Sequence, residues 1–86
     1  MPYISHEQRQ KYIDIIIAMR NTTIETKGDL EYLVFSLQKQ FMKTREARYS
    51  TLHEAVYAVM HCADEFRRRF LDKREDEAKE ANGDIQ

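Results

Sequence analysis

Helix breakers are almost absent from this chain. Pro2, Gly28 and Gly83 are its only proline and glycines in 86 residues, so long stretches run with nothing to interrupt an α-helix. The Ile15-Ile16-Ile17 triplet is the one strand-like feature, because β-branched side chains favour a strand. Its flanking residues do not alternate, however, and no second strand-like segment is available to pair with it. Helix is the expectation throughout.

Three amphipathic runs follow. Ser5 and Gln8 have the spacing of a capping box. Tyr12, Ile13, Ile16, Ile17 and Met19 then recur at helical intervals, predicting a first helix over about residues 6–20. Residues 21–28 are a polar connection, rich in side chains that bond their own backbone. Asp29 is the candidate N-cap of a second helix, about residues 29–43. There Leu30, Leu33, Val34, Leu37 and Phe41 hold one face, while Tyr32, Phe35 and Met42 extend the apolar surface to a second. A helix apolar on two sides packs between partners. After a connection from about Thr44 to Ser50, Thr51 and Glu54 form a further capping box and open a third helix, about residues 51–81. Leu52, Ala55, Val56, Val59, Met60, Ala63, Phe66 and Phe70 define its face. Beyond Leu71 only Ala78 is apolar before Ala81. Pairs such as Glu75 with Lys79 are expected to support this exposed stretch. Asn82-Gly83 is a helix stop, with 82–86 a short tail. The predicted fold is all-α: one small domain of three helices, the last long, charged and overhanging.

Size and charge restrict the partners. A chain this short buries only about 60% of its unfolded surface, so a monomeric core is marginal. Met1-Pro2-Tyr3-Ile4, the two-sided second helix and the overhang all need something to pack on. A homo-oligomer is expected, a two-fold dimer first. Fourteen basic and fifteen acidic residues leave a net charge of −1, too little to draw the whole protein onto nucleic acid or an anionic membrane. No apolar run reaches the roughly 18–20 residues of a membrane span, and the N-terminus lacks the pattern of a signal peptide. The single cysteine, Cys62, suits a reducing compartment and is expected to be a buried small hydrophobe.

Catalytic machinery is not evident. Gly28 and Gly83 lie too far apart for a phosphate loop. His61 and Cys62 are adjacent on a helix and diverge by about 100 degrees, so they do not form a nucleophile–base pair. His61 and Glu65, with His53 two turns earlier, fall short of a zinc ligand set. The expectation is a non-enzyme with no cofactor and no metal. The arginines are more informative. Arg67-Arg68-Arg69 and Arg74 close the apolar face of the third helix, and a guanidinium suits bidentate recognition of phosphate. Tyrosines offer ring faces for a base. Arg67, Arg68, Tyr32 and Arg74 are therefore the candidate ligand-binding residues. The competing reading pairs the arginines with Asp64, Glu65, Asp72 and Asp76 along the same helix. Duplex binding ranks lower, because acids interrupt every basic stretch.

Several motifs resemble a family of small phage and prophage proteins known as a domain of unknown function. They are the opening Met1-Pro2-Tyr3-Ile4, Gly28-Asp29-Leu30-Glu31-Tyr32, Tyr49 leading into a helix, Glu65-Phe66-Arg67-Arg68-Arg69, and the closing Asn82-Gly83-Asp84. This chain differs from the family pattern at Glu31, where asparagine is usual, and at Arg67, Arg74 and Gln86, where tyrosine is usual. The resemblance implies a phage accessory protein acting in the bacterial cytoplasm during infection. The combined expectation is a protein that sequesters a small anionic ligand, such as a nucleotide immune signal. The alternative is an inhibitor that docks on a host or phage enzyme through Leu30, Leu33, Val34 and Leu37, the i, i+3, i+4, i+7 anchors of a helix face.

Overall fold

The structure, a computed structural model, describes residues 3–83. The expected tail beyond Gly83 and the first two residues of the Met-Pro-Tyr-Ile motif lie outside that range. The described residues form three helical segments and no strand, so the isoleucine triplet is helical.

The first segment opens at the expected capping box. Ser5 Oγ accepts from the Gln8 amide at 3.2 Å, and Gln8 Oε1 accepts from the Ser5 amide at 3.0 Å. α1 (His6–Arg9) passes through a 3₁₀ turn, Gln10–Tyr12, into α2 (Ile13–Arg20). Tyr12, at φ −108° and ψ 8°, is where the helical path is interrupted, an irregularity its sequence periodicity does not signal.

α3 (Lys27–Met42) begins two residues before the expected boundary, and the cap is corrected with it. Thr26, not Asp29, is the N-cap. Thr26 Oγ1 accepts from the Asp29 amide at 3.0 Å, while the Asp29 carboxylate accepts from the Thr26 amide at 3.2 Å. Aspartate therefore fills the third position of a reciprocal box, where its charge still faces the helix N-terminus. The same correction applies to α4 (Tyr49–Phe66). Thr51 is inside its first turn rather than ahead of it, and its hydroxyl oxygen accepts from the Arg48 amide at 3.1 Å.

The third segment continues from α4 through a π-helical turn, Arg67–Leu71, into α5 (Asp72–Asn82). Gly83 ends it at φ 87°, a left-handed conformation open to a residue with no Cβ, and its amide donates to the Lys79 carbonyl at 2.8 Å. At about 1.5 Å per residue, residues 49–82 form a rod about 50 Å long. That rod accounts for the longest dimension of the molecule, 50 Å. Its charged end is supported by Arg74 with Glu77 at 3.4 Å, whereas no ion pair joins Glu75 to Lys79.

α3 and α4 form a helical hairpin that closes at Ala55, the only buried residue among those described. A side chain reaches across here: Gln38 Nε2 donates to the Ala55 carbonyl at 3.1 Å. Elsewhere apolar residues face water, including Ile15, Ile17, Leu30, Phe35, Leu37 and Phe66. Cys62 is exposed as well, correcting the expectation of a buried thiol. The radius of gyration is 16.8 Å, against about 12 Å for a compact domain of this length. No described helix is long and apolar enough to cross a membrane.

Candidate functional site

One face of α4 carries aromatic rings at every fourth position. Residues four apart lie one above the other on a helix, so Tyr49, His53, Tyr57 and His61 form a ladder. Ring centroids are separated by 5.5 Å, then 4.0 Å, then 6.4 Å along it, with His53 and Tyr57 stacked. Tyr49, at the free end, is 83% exposed.

Continuing that spacing brings the face to charged residues. His61, Asp64, Glu65 and Arg68 wall a notch of about 330 Å³. The π-helical turn, which begins at Arg67, supplies that Arg68 wall and also holds Arg67 and Arg69. Such turns are rare and concentrate at functional sites, since the extra residue per turn re-aims the side chains that follow.

Glu65 organises this end. Its side chain is only 13% exposed and takes Arg68 Nη2 at 2.6 Å and Arg69 Nε at 3.6 Å. The same carboxylate oxygen accepts from the Tyr3 hydroxyl at 2.8 Å, linking residues 62 positions apart. The Arg69 guanidinium lies 5.7 Å from the centre of the Tyr3 ring. The Tyr3 hydrogen bond first, and Arg68 second, hold the Glu65 carboxyl below the usual carboxylate range. That bond also raises the Tyr3 phenol, because a phenolate would confront the carboxylate.

These shifts define a pH window. A lowered carboxyl stabilises the folded state above its ordinary pKa, and that contribution is lost as pH falls through the lowered value. A raised phenol contributes below its ordinary pKa and loses the contribution as pH rises through the raised value. The N-terminal tether is therefore expected to hold at neutral pH, to release in acid as pH falls below the ordinary glutamate range, and to release in base as pH rises above the ordinary tyrosine range. Amide exchange of residues 4–8 measures this. Glu65→Gln should flatten the acid limb; an unchanged limb in that variant would assign it to another group.

The predicted site residues are only partly assembled. Arg67 pairs with Asp64 at 3.7 Å, Arg68 with Glu65 and Arg74 with Glu77, while Asp72 and Asp76 take no arginine. Arg68 walls the notch, and Arg67 reaches it only through its pair with Asp64. Arg74 lies beyond the π-turn, in α5. Tyr32 is 72% exposed on α3 and shares no hydrogen bond or ion pair with the three arginines. His61, the last ring of the ladder, takes the place beside Arg68 that Tyr32 was expected to fill, with Tyr57 one turn behind it. The even spacing at 49, 53, 57 and 61 was the sequence signal for them. Nothing in the sequence pointed from Tyr3 to Glu65. Among the described residues, no three histidine, cysteine or carboxylate side chains come together as a metal site.

No curated protein and no solved structure matches the chain. A family model does, over residues 1–85, nearly the full span of the motifs that suggested a resemblance. With that coverage, the chain belongs to the family described as Domain of unknown function (DUF6899).

Proposed function

We propose that the protein is a non-enzymatic phage accessory protein that binds and sequesters a small anionic ligand of the nucleotide class. One observation carries this reading: the aromatic ladder of α4 runs directly into the arginine-bearing π-turn. Bases stack on exposed aromatic faces at about 1–3 kcal/mol each, and guanidinium forks bind phosphate in a bidentate manner. Tyr57 and His61 supply the first contact, Arg67 and Arg68 the second. Their present carboxylate partners do not block this role. The Arg67 and Arg68 side chains are 61% and 71% exposed, and exposed ion pairs contribute only about 0–1 kcal/mol. A phosphate that engages both nitrogens of a guanidinium displaces such a partner.

A thermal-shift screen of the full chain against cyclic dinucleotides, cyclic oligonucleotides and ADP-ribose derivatives tests the proposal. Ligand at 100 times its dissociation constant adds about 2.7 kcal/mol, which is about 10–20 °C in a domain of this size. In the Arg67→Ala/Arg68→Ala variant, calorimetric affinity for the hit is expected to fall at least about 100-fold with the unliganded melting point nearly unchanged. A flat panel removes the proposal, and a large fall in melting point for the variant reassigns the arginines to a structural role.

A second reading, a helix-face inhibitor of a host or phage enzyme, rests on a separate observation. Leu30, Leu33, Val34 and Leu37 line one open apolar groove.

A further inference from the structure

α2 and α3 leave between them a groove of about 430 Å³, walled by Ile15, Met19, Leu30, Leu33, Val34 and Leu37. Two hydroxyls also reach its wall, and both are already used. Thr22 Oγ1 donates to the Ala18 carbonyl at 2.7 Å and Ser36 Oγ to the Tyr32 carbonyl at 2.8 Å. The groove therefore offers a charged or polar ligand little to bind. It suits an apolar helix face, for which no hydrogen bond has to be supplied.

We propose that a second copy of this chain covers the groove, forming a two-fold dimer in which α2 and α3 of one protomer pack on α2 and α3 of its partner. The argument is one of area. The chain exposes 8298 Å², whereas a compact monomer of 10.3 kDa exposes about 5,400 Å². The excess, about 2,900 Å², is at the scale of an obligate homodimer, which buries about 1,000–2,500 Å² on each chain. An excess that large belongs to the isolated chain and exists before any other molecule is met. A second copy is the one partner that is present wherever the chain is, at the same concentration. A net charge of −1 opposes the encounter weakly. Aliphatic walls on both sides of the groove let the same apolar patch face its own copy without leaving a charge or polar group unpaired, as suits a two-fold contact. The groove and the notch at His61–Arg68 have no wall residue in common, so the dimer and the ligand site stand or fall separately.

Sedimentation equilibrium of the full chain, together with cysteine labelling, tests this. The expected mass is twice 10.3 kDa. In a Cys62→Ser background, the Ser36→Cys variant should react with a maleimide at least about tenfold more slowly than the Lys79→Cys variant on the charged α5. Dilution should abolish that protection as the dimer dissociates. A monomer at every concentration overturns the proposal and leaves the groove to a different protein. An odd-numbered ring, or equal labelling rates within an assembly, overturns it as well.

Discussion

An aspartate in place of Leu33 is expected to break the assembly. Leu33 lies between Leu30 and Leu37 on the groove wall and is 39% exposed in the single chain. A carboxylate there costs little while water reaches it. Once a second copy covers the groove the charge is desolvated without a partner, at about 3–5 kcal/mol. In a two-fold contact each protomer contributes one such charge. The dissociation constant should rise at least about 100-fold, read by sedimentation equilibrium. Helical circular dichroism should fall at low concentration and recover as concentration is raised. That recovery separates lost association from simple misfolding. Leu33→Met, which conserves volume and polarity, should retain both mass and melting behaviour. An unchanged mass for Leu33→Asp would show that this wall faces water in solution.

The second large effect is expected at Ala55. It is the one buried residue described, 8% exposed, at the point where α3 and α4 approach. Its carbonyl receives the Gln38 side chain across the hairpin. Ala55→Leu inserts a branched side chain where only a methyl group fits, and overpacking of this kind costs about 1–3 kcal/mol. In a domain this small, that lowers the melting point by about 5–20 °C. Ala78→Leu is the control. It adds the same atoms to the charged, exposed α5 and hardly alters helix propensity, so its melting curve should overlay the parent. Equal melting points for the two variants would mean that the hairpin does not close at Ala55.

Helix location was legible because it depends on local chemistry. Ser5 with Gln8 marks a boundary that the structure keeps to the residue, and Asn82-Gly83 one that it keeps to within one residue, the helix running through Asn82 rather than ending at 81. Where boundaries moved, two local signals competed. Asp29 and Thr51 both resemble N-caps, yet each accepts, from the third helical position, a bond from the amide of the residue three places earlier, and Thr26 alone returns a side-chain bond. A capping residue three places earlier, Thr26 or Arg48, therefore shifts the start toward the N-terminus. The 3₁₀ turn at Gln10–Tyr12 and the π-turn at Arg67–Leu71 leave no trace in a pattern of apolar spacing. Each changes hydrogen-bond partners by one residue and keeps the same residue types in nearly the same order.

The scarcity of proline and glycine, the three amphipathic runs and the balanced charge were enough to establish an all-α chain with a long charged end. They were also enough to show that it carries more apolar surface than one small helical layer can bury. Those properties depend on residues within a few turns of one another. Pairing residues across the chain needed the tertiary structure. Tyr3 meets Glu65, and His61, rather than Tyr32, stands beside Arg68. The groove between α2 and α3 likewise arises from the angle at which two helices separate. Such contacts depend on how the helices pack, and a one-dimensional pattern of helical faces specifies which side of each helix is apolar but not which neighbour that side meets.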